Sequence, residues 1–388
     1  MAWQERVKQP LLDIALPFGM LCMLTGMLWL GEHGRYPKVF LTFALPSLAL
    51  FALAPSNFRF FLRSPTVLAF VVFAVYFSVS IAWSATEDSF GDLIKRPLLV
   101  LVLFYGVTEF ARLRPKLLSN TISIASVVAL VTAIYEIGQF FVANNTVRLA
   151  SEGALYNPLL ISHVYGFFAA LWLGWLYTQP SPHKSALGIP AFLILLALLV
   201  LTGSRTPLLA ITTTAVSLTL IAGHRKGLLM LAVLAVVGLA GLITMPEMIT
   251  QRGFSYRPEI WSETTRQILE HPWFGHGFGT PLTIKIADIA YPFRDPHNLS
   301  LAVLFDGGLI GLLCWMAIYA TALAKVWKHK QHPWAIICSA TIVYGLVAGM
   351  TEGGSFLSRP KEHWFLIWIP LALVASIPSG DINRGQAA

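Results

Sequence analysis

His297, in Arg294-Asp295-Pro296-His297-Asn298, is the residue of this chain best placed to move a proton. It stands where a polar stretch gives way to the apolar run opening at Leu299, and Asn298 has the side chain to cap a helix starting there. The positive end of such a helix disfavours imidazolium, and neutral imidazole is the form a general base needs. The plain alternative, a surface histidine beside a cap, has the same local sequence. Arg205 fills the break Gly203-Ser204-Arg205-Thr206 between two apolar runs, so short that its guanidinium stays at the depth of lipid headgroup phosphates. The planar fork of arginine suits phosphate, and snorkelling to the interface is the competing reading. Arg257 precedes Pro258 and the stretch Glu259 to Glu270, with Arg252 just upstream. Trp261, four residues on, is expected on the same helix face, where stacking would hold the arginine ready for an anion. Glu259, Glu263 and Arg266 read as the solvated face of that helix. Glu352, Arg359 and Lys361 crowd the last outer break, and Arg252, Arg359 and Lys361 are expected to offer further anion contacts.

Other constellations are missing from the sequence. There is no Gly-x-Ser-x-Gly elbow, Walker loop or His-Glu-x-x-His motif. His271 and His276 are badly spaced for one helix face, and the 10 histidines, spread along the chain, suggest no metal site. Cys22, Cys314 and Cys338 all lie in apolar runs, so neither a disulfide nor a metal cluster is expected of them. Glu136 and His163, inside apolar runs, are functional suspects by location, and Glu136 is expected to pair with a base at the interface. Asp306 in Phe305-Asp306-Gly307-Gly308 is expected to cap or kink its helix.

These residues need a scaffold, and composition names it. A chain of 388 residues that is 56% hydrophobic and 12% charged, with mean hydropathy +0.67, is far from a soluble domain, whose charged fraction is about 25%. Disorder, a disulfide-stapled secreted module and a β-barrel of short alternating segments are excluded as well. What remains is an all-α polytopic membrane protein. A spanning helix takes about 20 apolar residues. Twelve runs qualify: Ile14 to Leu30, Val39 to Ala54, Thr66 to Trp83, Pro97 to Phe110, Leu117 to Val142, Leu159 to Tyr177, Ala186 to Thr202, Pro207 to Ala222, Leu228 to Met245, Leu299 to Ala324, Trp334 to Met350 and Trp364 to Ile377. The fourth is expected to begin near Asp92.

Alternate breaks, from Arg6 and Lys8 to Arg384, collect 14 basic residues against 4 acids, which assigns that face, and both termini, to the cytoplasm. No small-residue cleavage site follows the first run, so it is expected to stay as an anchor. The net charge of +8 then reflects sidedness rather than nucleic-acid binding. The chain divides into residues 1–245 with spans 1–9, an outer loop 246–298, and residues 299–388 with spans 10–12 and a short tail. Pro258 and the apolar positions Trp261, Thr265, Ile268 and Leu269 make an amphipathic helix in that loop, closed by the glycines at 275, 277 and 279.

The order Thr202-Gly203-Ser204-Arg205-Thr206, Arg257-x-x-x-Trp261, His271-Pro272-Trp273-Phe274-Gly275-His276-Gly277-Phe278-Gly279 and His297-Asn298-Leu299, then Asp306-Gly307-Gly308-Leu309-Ile310-Gly311, resembles the O-antigen ligase and polymerase superfamily. Asp306 departs from it, since that family more often carries glutamate there. The resemblance implies a bacterial inner-membrane glycosyltransferase with its site, and the long loop between helices 9 and 10, in the periplasm. It implies a donor glycan on undecaprenyl pyrophosphate and, in the ligase branch, the lipid A core oligosaccharide as acceptor. His297 would be the base that activates an acceptor hydroxyl, and Arg205 and Arg257 would hold the pyrophosphate. With arginines supplying that charge, no cofactor, divalent metal or nucleotide is expected. A polymerase of the same superfamily and a transporter of anionic lipid or glycan are the alternatives. Against the transporter stand the missing internal repeats and the gathering of charge at the outer rim rather than the midplane.

Overall fold

The computed structural model describes residues 2–143, 148–180, 182–222, 227–228, 230–232, 234–236, 239, 256–286, 289 and 291–378. The first half holds α1 (Ala2–Pro10), α2 (Leu16–Trp29), α3 (Tyr36–Leu53), a short α4 (Phe58–Phe61), α5 (Pro65–Ser80), α6 (Phe90–Leu113), α7 (Pro115–Val142) and α8 (Pro158–Thr178). Then come α9 (Pro182–Leu201), α10 (Arg205–Ala222), α11 (Arg257–Ile268), α12 (Leu299–Lys328), α13 (Pro333–Gly349), α14 (His363–Leu366) and α15 (Trp368–Ala375). The only β pairing among the described residues is one antiparallel bridge, Ile284 to Phe293.

Helix starts follow local chemistry. Pro65, Pro115, Pro158 and Pro333 occupy first helical positions, where a missing N–H leaves nothing unsatisfied. Ser89, Asn157, Asn298 and His332 accept backbone N–H bonds as caps of α6, α8, α12 and α13.

Among the described residues, six helical stretches are long and apolar enough to cross a membrane: Arg6–Trp29, His33–Leu53, Pro65–Trp83, Pro115–Val142, Pro158–Thr178 and Leu299–Lys328. Gly188–Leu201, Arg205–Ile221, Pro333–Gly349 and His363–Ala375 are shorter apolar helices. α5 shows why the class is membrane: Val67, Phe70, Phe73 and Phe77 are buried, while Leu68, Val72, Val75 and Val79 on its other side are more than half exposed. A helix apolar all round needs an apolar surround. The fourth expected run is the middle of α6, which starts beside Asp92 as expected and carries Pro97. The ninth, Leu228 to Met245, falls mostly outside the described residues. The last run differs from a plain span. It breaks at Ile367 (φ −116, ψ −73) into α14 and α15, and every residue from Trp364 to Ala375 is buried inside the bundle.

α8 packs on α13 and α9, α10 on α13, α12 on α5, and α2 on α3. Close approach depends on small residues, as expected where lipid tails are as apolar as the packing partner. A Cβ on Gly166 of α8 would overlap the Tyr344 hydroxyl of α13, and one on Gly19 of α2 would overlap the Thr42 carbonyl of α3. Aromatic rings fill the centre, with Phe70 and Trp368 centroids 5.0 Å apart and Phe77 and Phe356 4.9 Å apart.

The described part of the polar loop is an ordered cap on α12. α11 buries Ile260, Thr264 and Ile268 and packs with Leu282, Ile284 and Phe305 as a second small core. Its buried face is turned from the expected one: Leu269 is 69% exposed, and Trp261 is only partly buried. α12 kinks at Gly308 (φ 58, ψ −162), as the Asp306-Gly307-Gly308 sequence suggests. The kink frees backbone groups, and the turn at 272–277 takes them up. His276 and Gly277 N–H donate to the Phe305 and Asp306 carbonyls, each at 2.9 Å, while Leu309 N–H donates to the Pro272 carbonyl at 2.8 Å. Gly275, Gly277 and Gly279 all have positive φ (69, 90 and 87), which this tight turn requires.

Candidate active site

Glu352, three residues past the end of α13, is the point on which the site converges. It is 2% exposed. Its Oε1 accepts from Nη2 of Arg257 at 2.5 Å and from the Thr206 hydroxyl at 3.3 Å. Its Oε2 lies 3.8 Å from Nδ1 of His297. Three helix starts therefore meet one carboxylate: Thr206 from α10, Arg257 from α11, and His297 from the turn that opens α12. Burial pushes the Glu352 carboxyl above the ordinary carboxylate range, while Arg257, His297 and the Thr206 hydroxyl pull it the other way.

Each side chain is held by its own backbone. His297 is one of two non-glycine residues with positive φ among the described residues (φ 48), and its N–H donates to Oδ1 of Asp295 at 2.7 Å. Left-handed backbone outside glycine costs about 1–3 kcal/mol and concentrates at functional sites. At this position it turns the ring back toward Glu352, while Asn298 caps α12 through the Ser300 and Leu301 N–H groups at 2.9 and 3.1 Å. The ring is 31% exposed, so it faces both the carboxylate and the open side. The second positive-φ residue, Tyr256 (φ 57), immediately precedes Arg257.

Arg257 does point into the site, but not by stacking on Trp261. Its Nε donates to the Thr351 carbonyl at 3.0 Å, and its side chain is 26% exposed. No cation–ring contact joins it to Trp261 among the described residues. The Trp261 indole instead donates to the Pro296 carbonyl at 3.0 Å, which pins the turn carrying His297 to α11. A buried carboxylate outcompetes an aromatic face for a guanidinium, because it offers full charge and a directed acceptor.

Arg205 is exposed at the first position of α10, one residue before Thr206, which bonds the Thr351 hydroxyl at 2.9 Å. Ahead of it, Gly203 takes positive φ (61), and Arg148 clasps this turn: Nε donates to the Thr202 carbonyl at 2.5 Å and Nη2 to the Ser204 hydroxyl at 2.8 Å. Sequence reasoning passes over Arg148. Arg252 lies outside the described residues. Arg359 and Lys361 sit among carboxylates: Arg359 is 3.1 Å from Asp92, and Lys361 is 4.0 Å from Glu362. Glu352 itself does not join them in a wall but belongs to His297 and Arg257. Its signal in the sequence is a carboxylate immediately past an apolar run and before Gly353-Gly354, a place where a buried charge needs partners. Glu136 accepts from the Ser151 hydroxyl at 2.6 Å rather than from a base.

Beside the His297 turn, a cleft is lined by Arg96, Phe278, Arg294, Pro296, Asp306 and Phe356. Arg96 lies over the Phe278 ring, 5.7 Å from its centroid, and pairs with Asp88 at 2.5 Å.

The arrangement joins an imidazole backed by a carboxylate, a directed arginine and a row of helix starts. Such a set can take a proton from a hydroxyl while holding an anionic leaving group. The family model described as O-Antigen ligase matches residues 190–316 of this chain, from within α9 to within α12. The O-antigen ligase of Pseudomonas aeruginosa is 44% identical over 363 residues, covering 93% of this chain and 90% of that protein. With likeness at that level along nearly its whole length, the chain belongs to the O-antigen ligase family.

Proposed function

We propose that this protein transfers O-antigen polysaccharide from undecaprenyl pyrophosphate to the lipid A core oligosaccharide, on the periplasmic face of the inner membrane, by a single inverting displacement. The observation that carries this reading is the convergence of His297, Arg257 and the start of α10 on Glu352.

The acceptor hydroxyl oxygen attacks the anomeric carbon of the donor sugar, and the bond from that carbon to the pyrophosphate oxygen breaks, its electron pair leaving with the phosphate. The acceptor proton passes to Nε2 of His297. Nδ1 faces Glu352 at 3.8 Å, so the carboxylate orients the ring and stabilises the imidazolium as it forms. Arg257 commits Nε and Nη2 to Thr351 and Glu352, and its Nη1 has no hydrogen-bond partner among the described residues. That edge meets the pyrophosphate, with Arg205 at the α10 start as the second cation. Charge supplied in this way makes an added divalent cation unnecessary. The cleft at Phe278 and Asp306 gives the sugars room beside the base. Both lipid-linked substrates reach the site along the bilayer, which the apolar helices around the cap on α12 are suited to.

The test is the fate of glycan in liposomes holding the purified protein, undecaprenyl-pyrophosphate-linked glycan and lipid A core, without added Mg²⁺ or Mn²⁺. Glycan appearing on the core supports the ligase; longer glycan on the carrier would make the protein a polymerase, and no transfer would favour transport. In the same assay Arg205→Lys is expected to lower kcat/KM about 10- to 100-fold. A point charge loses the bidentate, charge-assisted contact, worth about 1.5–3 kcal/mol. Unchanged transfer would reduce Arg205 to a snorkelling residue.

A further inference from the structure

Behind the Glu352 turn lies a second cluster of ionisable side chains, which the transfer reaction does not use. His163 of α8, and Glu362 and His363 at the start of α14, are 3%, 3% and 7% exposed. One ligand atom of each lies within 4.8 Å of the other two. Nδ1 of His363 is 2.7 Å from Oε1 of Glu362, and the two imidazole centroids are 5.2 Å apart. Only the fold brings His163 to the neighbouring pair Glu362 and His363, since it comes from the opposite half of the chain.

Neither ring nitrogen of His163 has a hydrogen-bond partner among the described residues. A buried polar group left so forfeits its hydration without compensation, and such a group in a native fold calls for a ligand. Two imidazoles and a carboxylate are a donor set that suits Zn²⁺ better than Mg²⁺ or Ca²⁺, which prefer all-oxygen shells. An outer partner is present too: Nε2 of His33, from the turn before α3, lies 2.5 Å from Oε2 of Glu362, the kind of contact that orients a ligating carboxylate. The cluster abuts the active-site turn, because a Cβ on Gly353, next to Glu352, would overlap the His363 imidazole.

We propose that His163, Glu362 and His363 form a binding site for a Zn²⁺-type transition metal, which ties the turn carrying Glu352 to α8. The metal stands apart from the reacting atoms; it fastens the polypeptide that presents Glu352 to His297.

The experiment measures metal in purified full-length protein in detergent, loaded with Zn²⁺ and desalted. About one Zn²⁺ per chain is expected, with three protein ligands and the fourth tetrahedral position left to water. His163→Ala and His363→Ala should fall to background. His297→Ala should keep its metal whatever it does to transfer, so this proposal and the catalytic reading fail separately. Wild type also answers without any variant: Zn²⁺ added to stripped protein should raise Tm where Mg²⁺ does not, by mass action on the folded state. Background metal in loaded wild type, or full metal content in a folded His163→Ala, His363→Ala double variant, would overturn the proposal.

Discussion

His297→Ala leaves a folded, membrane-inserted protein whose glycan transfer falls about 10²- to 10⁴-fold, the usual contribution of a positioned general base. The loss falls on kcat, because the side chain removed meets the acceptor proton rather than the donor pyrophosphate. Folding survives for local reasons. The ring is 31% exposed, so its removal opens no core cavity, and the cap of α12 is made by Asn298, not by His297. The left-handed backbone at position 297 asks for a second variant. His297→Asn accepts positive φ more readily than alanine yet cannot take the proton, so it should be equally inactive. Transfer within a few-fold of wild type in either variant would remove His297 from the role of base.

Glu352 yields the second large effect, and its two substitutions separate fold from chemistry. Glu352→Ala leaves the Arg257 guanidinium, 26% exposed, without its carboxylate; breaking such a pair costs about 3 kcal/mol. The expected result is a lowered Tm together with lost transfer. Glu352→Gln keeps the volume and an acceptor oxygen for the Arg257 and Thr206 donors, so it should fold. It nevertheless removes the negative charge 3.8 Å from Nδ1 of His297, and kcat should fall about 10- to 100-fold for want of imidazolium stabilisation. A Glu352→Gln protein with wild-type turnover would reduce the carboxylate to an anchor for Arg257. Thermal melts of both variants beside their transfer rates make the comparison.

Much of this site is legible in the sequence because its residues sit at element boundaries. A helix start announces itself through a cap, a proline or a short polar break, and Arg205, Arg257 and His297 each stand out in that way. The kink at Gly308 and the turn through Gly275, Gly277 and Gly279 are legible for the same reason, since glycine pairs and triplets mark backbone that other residues adopt at a cost. Contacts between distant segments escape such a reading. Glu352 has an unexceptional neighbourhood in the chain, and only packing brings α10, α11 and α12 onto it. Trp261 has the right spacing to stack on Arg257, but spacing cannot know that a buried carboxylate lies closer. The amphipathic face of α11 reads one step off for a related reason: Ile260 and Thr264, buried against the start of α12, outrank Thr265 and Leu269 once the partner surface exists. The last apolar run reads as a span like the others. Its burial on all sides and its break at Ile367 depend on the surrounding helices, which hydropathy does not record.

The central claim is a direct displacement at the anomeric carbon, driven by a histidine base with no sugar bound covalently to the protein. The configuration of the newly formed glycosidic bond tests it most directly, read by NMR on product from donor of defined anomeric configuration and isolated lipid A core. Complete inversion relative to the undecaprenyl-linked donor is the predicted result. Retention, whether by two successive displacements through a protein-bound sugar or by departure and attack on the same face, would contradict a single inverting displacement with His297 as base and Glu352 as its charged partner.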